Sequence, residues 1–243
     1  MSEPIVELKD VSMQFEIQTR HYGLKNMILH LPQYIKDRRN KDMFTALDHV
    51  NLSFQKGERV ALVGHNGSGK TTMLSVIGGV YKRYKGELSV RGRVSMMLAL
   101  GAGFSPELSG RENIVLNGVL QGMTREQMME KMDDIISFAD IGRFIDSPVY
   151  QYSSGMYARL GFGVATAIEP EILLVDEVMA VGDANFKEKC EKRINKLLDG
   201  GTTLFLVSHT QADVRKYCKR AVKLDHGKVV ADGTIEEVLG AAK

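Results

Sequence analysis

Val50, Leu52 and Phe54 alternate with Asn51, Ser53 and Gln55, a period of two that predicts a strand with one buried face. Upstream, residues 5–9 and 11–15 read as two further short strands on either side of Lys9-Asp10. Lys56-Gly57-Glu58 turns the chain into Arg59-Val60-Ala61-Leu62-Val63, a short apolar run of the kind a strand buried on both faces requires. From Thr71 through Ile77 the apolar spacing becomes helical, and Gly78-Gly79 ends it. Residues 111 to 168 read as helical almost throughout. Then follow a strand at 171–175 and a helix at about 186–198, carried by Phe186, Cys190, Ile194 and Leu197. A strand at 202–207, a helix near 210–217, a hairpin around Asp225-His226-Gly227-Lys228 and a short helix capped by Thr234 complete the chain. An antiparallel beginning followed by alternating strands and helices predicts an α/β domain built on a parallel sheet.

The stretch at about 20–43 interrupts this pattern. Leu24, Met27, Ile28, Leu31 and Ile35 recur at helical spacing, Pro32 should kink or restart the helix, and Lys36, Arg38, Arg39 and Lys41 follow. Either this is a surface helix packed on its own domain, or its apolar stripe and basic tail dock on a partner or on anionic headgroups. The cluster Met123, Met128, Met129 and Met132 in the later helical region is open in the same way, as core or as a surface that repacks against a partner.

Composition narrows the class. A chain of 243 residues suits one large domain, 1–243, with a small inserted part. Its formal net charge of +2 is far from the one-sided basic balance of a dedicated nucleic-acid binder, so no nucleic-acid partner is expected. Cys190 and Cys218 lie apart without metal spacing, as buried free thiols of a reducing compartment do. Met1-Ser2-Glu3-Pro4 is acidic and opens no apolar core segment, so no signal peptide is expected, and no run approaches the roughly 18 apolar residues of a membrane span. The expected location is cytosolic, with any service to a membrane performed through a partner.

The candidate chemistry begins where the apolar run 59–63 ends. Gly64-His65-Asn66-Gly67-Ser68-Gly69-Lys70-Thr71-Thr72 fits G-x-x-x-x-G-K-[ST] at every fixed position, between a strand and a helix. Its glycines let backbone amides close around phosphates, and the helix N-terminus adds partial positive charge. Lys70 supplies a mobile point charge for phosphate oxygens, and the Thr71 hydroxyl can ligate Mg²⁺. Ile172-Leu173-Leu174-Val175-Asp176-Glu177 is an apolar strand ending in two acids, the way an α/β sheet presents groups to a ligand. Asp176 can hold Mg²⁺ through water opposite Thr71, and Glu177 is then the candidate general base for the attacking water. Leu204–Val207 ends in Ser208-His209, where the imidazole is either a satisfied histidine or a contact to γ-phosphate or water. Tyr152-Ser153-Ser154-Gly155-Met156 opens a helix, as a plain N-cap or as a second anion site.

The order of these pieces resembles ABC-type ATPases: a P-loop NTPase core with an antiparallel β subdomain and an inserted α-helical subdomain, here at about 111–168. Tyr152 to Met156 resembles their Leu-Ser-Gly-Gly-Gln signature, with Ser154 for Gly and Met156 for Gln. Three stretches resemble the subfamily that powers export of O-antigen, capsule and teichoic acid: Tyr152–Leu160, Asp176–Asp183 with Phe186 and Lys189-Cys190, and Leu100–Asn113. So does the insertion containing Leu24-Lys25. The chain resembles the shorter members that lack a carbohydrate-binding domain.

That resemblance implies a head-to-tail homodimer with ATP and Mg²⁺ held between the phosphate loop of one copy and Ser153, Ser154 and Gly155 of the other. Asp183 would lie in a loop crossing the dimer interface. It further implies two membrane subunits, a lipid-linked polysaccharide as cargo, and a peripheral place on the cytoplasmic face of the inner membrane. An aromatic usually stacks on adenine; Phe15 is the first choice and Phe44 the alternative. The family's metal-contacting glutamine has no counterpart between residues 94 and 110, where the equivalent stretch falls near Leu100. The competing readings are an ABC transporter for another substrate and a soluble ABC-type ATPase outside transport.

Overall fold

The computed structural model describes residues 3–17, 42–97, 101, 103–176 and 183–240. Most of the 20–43 insertion, the Leu100 position and Glu177 therefore lie outside the described residues.

Strands β1 (Val6–Ile17), β2 (Asp42–Phe54) and β4 (Lys85–Val90) form an antiparallel sheet in the order β2-β1-β4. Strands β3 (Arg59–Val63), β5 (Val94–Met97), β6 (Ile172–Asp176), β7 (Thr203–Val207), β8 (Arg220–Asp225) and β9 (Lys228–Thr234) form a second sheet, ordered β5-β6-β7-β3-β8-β9. Its pairings are parallel except β8–β9, the hairpin. Helix α1 (Lys70–Ile77) follows β3. Helices α2 (Gly110–Leu120), α3 (Arg125–Ala139) and α4 (Ser154–Ala167) lie between β5 and β6 in sequence, with short 3-10 turns at Gly142–Asp146 and Val149–Gln151. Helices α5 (Ala184–Asp199), α6 (Gln211–Tyr217) and α7 (Ile235–Leu239) complete the order.

The two amino-terminal strands expected on either side of Lys9-Asp10 are one strand with a bulge. Asp10 takes a positive φ of 56° and the pairing register shifts between Leu8 and Val11. The displaced Asp10 amide donates to Asn51 Oδ1 at 2.9 Å, so the interruption leaves that donor satisfied and the ladder resumes. Strands β4 and β5 were not legible in the pattern. β4 is exposed or half-buried along its length, and β5 is four residues long.

In the parallel sheet successive residues enter different cores, which is why its strands read as unbroken apolar runs. Val60 and Leu62, Ile172 and Leu174, and Phe205 and Val207 pack with the antiparallel sheet and α1. Ala61, Leu173, Val175, Leu204 and Leu206 pack instead with Phe162 of α4 and Phe186 and Ile194 of α5. Phe54 and Phe205 meet edge-on at 4.8 Å where the two sheets face each other. Burying each such side chain contributes about 1.5–3 kcal/mol. A third core joins α2, α3 and α4 around Ile114, Met128, Met132, Ile135 and Leu160. Met123, Met128 and Met132 are thus core residues, and Met129 alone of that cluster is exposed.

Three phenylalanines connect the helical part to the sheet. Phe138 of α3 stacks on Phe162 at 5.6 Å, and both meet Phe186 edge-on at 5.3 and 6.2 Å. Arg193 lies 4.8 Å over Phe138 and Arg159 4.7 Å over Phe186. Cys190 and Cys218 are buried free thiols, and desolvation raises each pKa to about 12, which removes them from thiolate chemistry.

Candidate functional site

Parallel pairing in the order β6-β7-β3 brings three strand ends to one edge of the sheet: Asp176 closing β6, Ser208-His209 after β7, and the glycine-rich loop after β3. The loop passes under the β8–β9 hairpin. Gly64 has φ 146°, and a Cβ there would fall 2.2 Å from the Leu224 carbonyl oxygen. Gly69 has φ 109° and lies equally tight, with the Ala46 carbonyl 2.6 Å from a Cβ position. Only glycine satisfies both the backbone angle and the clearance. A backbone chain then fixes the loop: Gly227 N–H donates to Ser68 O at 2.9 Å, and Asp48 N–H to Gly227 O at 2.9 Å.

The loop is arranged for an anion. Gly69 caps α1 without a side-chain hydrogen bond to its first amides, and the first turn carries no acid. Those amides point forward with the positive end of the helix behind them. Lys70 is 8% exposed, and its Nζ donates to the Gly64 and His65 carbonyls at 3.0 and 2.9 Å, which leaves its third proton for a ligand. Ser68 Oγ is fully buried and has no hydrogen-bond partner, a polar atom suited to a bound phosphate oxygen or water. Together with Phe44, Ala46, Asn66, Gly67, Thr72 and Val207, the loop walls a cleft of about 270 Å³. Two larger hollows, about 390 and 520 Å³, lie at Pro170–Gly201 and at Asp10–His49, and neither is lined by the loop or by Asp176.

Across the sheet edge, Thr71 Oγ1 donates to Asp176 Oδ2 at 2.7 Å. A hydroxyl and a carboxylate held this close, in front of a phosphate-binding loop, form an all-oxygen donor set of the kind a hard divalent cation takes. The residues fit Mg²⁺. Glu177, the candidate base, follows Asp176 directly and lies outside the described residues. His209 is exposed two residues beyond the end of β7.

His65 and the hairpin were not joined by any sequence signal. His65 Nδ1 lies 2.7 Å from the Asn66 carbonyl oxygen and its Nε2 lies 2.8 Å from Asp225 Oδ1. The Asn66 carbonyl first, then the Asp225 carboxylate, raise the His65 pKa above its usual value. His226 stacks at a tilt 4.9 Å from the His65 ring.

Ser153 caps α4, its Oγ accepting Met156 N–H at 3.2 Å, while Ser154 is exposed and Gly155 half-buried. Within this chain the segment does not line the phosphate-loop cleft. Asp183 caps α5 by accepting Phe186 N–H at 2.9 Å and accepts a second, charge-assisted bond from Arg159 at 2.5 Å. Backbone bonding by the Phe186 amide is the main reason its pKa lies below the usual carboxylate value. Of the two aromatics considered for stacking, Phe15 packs edge-on against Tyr81 at 5.3 Å beside the first core. Phe44, its register partner on β2, is 47% exposed and lines the cleft. The alternation of the strand could not separate them, because directly paired residues project to the same face.

Comparison with known proteins bears on this site. The ABC transporter family matches residues 47–180, from within β2 to just past the acidic strand end. The O-antigen export system ATP-binding protein RfbB of Klebsiella pneumoniae is 40% identical over 243 residues, covering 98% of this chain and 96% of that protein. The protein of the same name from Myxococcus xanthus is 43% identical over 234 residues, spanning 95% of this chain but 54% of its own length. Among solved structures, a dimeric ATP-binding cassette in a post-hydrolysis state, bound to ADP and Pi, shares the fold with a TM-score of 0.72. It is 24% identical, covering 95% of this chain and 98% of that one.

Proposed function

The chain belongs to the ABC transporter family, and from that premise we propose that it is the ATP-hydrolysing subunit of an exporter of lipid-linked polysaccharide of the O-antigen or capsule type. The observation that carries the chemistry is the Thr71–Asp176 hydrogen bond, which joins the phosphate loop to the acidic strand end across β7 and β3. The cargo assignment is supported by 40% identity, along nearly the whole length of both chains, to an O-antigen export protein.

In this reading the amides of Gly67 to Thr72 and the Lys70 ammonium hold the β- and γ-phosphates of ATP. Asn66 lines the same cleft. Thr71 and Asp176 are the protein groups that would hold Mg²⁺, which when bound neutralises developing phosphate charge. Glu177 takes a proton from the attacking water, and His209 orients the γ-phosphate side of the same edge. Phe44, rather than Phe15, offers its face to adenine. Replacing Phe44 with Ala should weaken ATP binding about three- to tenfold, the value of one aromatic stacking contact, while Phe15→Ala leaves it nearly unchanged. Equilibrium binding of a fluorescent ATP analogue decides this, and the reverse ranking would return the base to Phe15.

Ser153, Ser154 and Gly155 do not line the loop's cleft in this chain. They complete the site when a second copy packs head to tail, so that hydrolysis belongs to a homodimer. No helix among the described residues is long and apolar enough to cross a membrane. In the proposed assembly the dimer sits peripherally on the cytoplasmic face of the inner membrane, bound to integral membrane subunits. Closure of the dimer on ATP drives the polymer outward, and hydrolysis resets it.

The test is to make Glu177→Gln the only copy in the native host and to locate the polymer. Lipid-linked polysaccharide retained inside, with a bare surface, is the expected result. Surface polymer at wild-type level would refute the cargo assignment and point to an ABC transporter for another substrate.

A further inference from the structure

His65, Asp225 and His226 offer three ligand atoms that all lie within 4.8 Å of one another. We propose that they form a binding site for a late first-row divalent cation, with Zn²⁺ the physiological candidate, that ties the phosphate loop to the β8–β9 hairpin. The proposal stands apart from the ATP site, whose hard-cation ligands are Thr71 and Asp176.

The arrangement of His65 carries the argument. Its Nδ1 sits 2.7 Å from a backbone carbonyl oxygen, which can only accept, so Nδ1 carries the proton. This is the orientation that metal-ligating histidines almost always adopt, with one ring N–H donated to a carbonyl and the other nitrogen free for the metal. The free Nε2 faces Asp225 Oδ1 at 2.8 Å. A nitrogen lone pair and a carboxylate oxygen at that separation require a cation between or beside them, either a proton or a metal ion.

A third ligand is at hand. His226 Nε2 lies 3.8 Å from the same Asp225 oxygen, on a side chain 84% exposed and free to turn. Ligands of a tetrahedral Zn²⁺ lie about 3.3 Å apart, so closure draws His226 inwards from a separation of at most 4.8 Å and parts His65 from Asp225 by about half an ångström. Lys228, which follows the hairpin turn, is paired with Asp48 at 3.3 Å. Two imidazoles and one carboxylate select Zn²⁺, Co²⁺ or Ni²⁺ over Mg²⁺ and Ca²⁺, and a half-exposed three-ligand site leaves a position for water.

The hairpin turn presents these ligands by design of its backbone. His226 and Gly227 both have positive φ, 45° and 80°, in a two-residue connection, which places His226 over the loop side of the hairpin.

The experiment is a Co²⁺ titration of chelator-stripped, untagged protein in excess Mg²⁺, followed by visible absorption. One Co²⁺ per chain with intense four-coordinate bands, displaced by Zn²⁺, is expected. His226→Asn keeps the positive-φ turn and Asp225→Asn keeps the shape of the carboxylate. Each should weaken Co²⁺ binding about tenfold or more while retaining ATP binding as proof of folding. Absence of the bands would mean that a proton alone bridges His65 and Asp225, and the proposal fails. Bands of undiminished affinity in both variants would place the ion elsewhere and overturn it equally. Because the readout is metal absorption rather than turnover, failure here leaves the ATPase reading intact.

Discussion

Glu177→Gln is expected to hydrolyse ATP about a hundred- to ten-thousandfold more slowly than the wild type while binding it as tightly. The change keeps size and hydrogen-bonding reach and removes the negative charge, and with it the ability to take a proton. Its neighbour Asp176 cannot substitute. Asp176 Oδ2 already accepts the Thr71 hydroxyl at 2.7 Å, and a bound Mg²⁺ would hold its charge there. Single-turnover hydrolysis separates the chemical step from binding, and size-exclusion chromatography with ATP should show a persistent dimer if, as proposed, hydrolysis reopens it. Turnover within a fewfold of wild type would remove Glu177 from the role of base.

Lys70→Ala should act earlier, on binding. The ammonium is buried and held by two backbone carbonyls, so it is already oriented towards the cleft before any ligand arrives. A charge-assisted hydrogen bond to phosphate is worth about 1.5–3 kcal/mol, which predicts ATP affinity lowered about ten- to hundredfold. The Gly64 and His65 carbonyls also lose their donor, so the loop should loosen. Calorimetric titration of ATP checks the affinity, and an unchanged dissociation constant would show that the backbone amides alone hold the phosphates.

The phosphate loop and the acidic strand end were legible because both depend on local order: a strand, a fixed spacing and a helix start within a few residues. A two-residue period cannot rank Phe15 against Phe44, because the paired residues share one face. Packing separates them: Phe15 lies against Tyr81, while Phe44 is exposed and lines the cleft. The bulge at Asp10 looks like a break in the sequence because a positive-φ residue rescued by a distant asparagine leaves no local trace. The short β5 is stabilised by its neighbour β6 rather than by its own sequence. Least legible was the approach of Asp225 and His226 to His65. It arises from β3 and β8 lying side by side, a pairing across some 160 residues.

The aromatic junction of Phe138, Phe162 and Phe186, with Arg159 and Arg193 laid over it, gives the molecule a mechanical property. Hydrogen bonds fail when stretched beyond about 3.5 Å, but ring pairs keep their attraction over centroid separations of about 4.5–7 Å. A guanidinium over a ring tolerates distances up to about 6 Å. The strand ladders on one side of this junction are therefore rigid, while the ring contacts by themselves tolerate small displacements. The register of that contact is set instead by the polar bonds around it, Arg193 to Asp134 at 2.7 and 3.0 Å, Arg159 to Asp183 at 2.5 Å and Ser95 Oγ to the Ala165 carbonyl at 3.0 Å, so a slide of an ångström between the helices and the sheet has to break these clasps first.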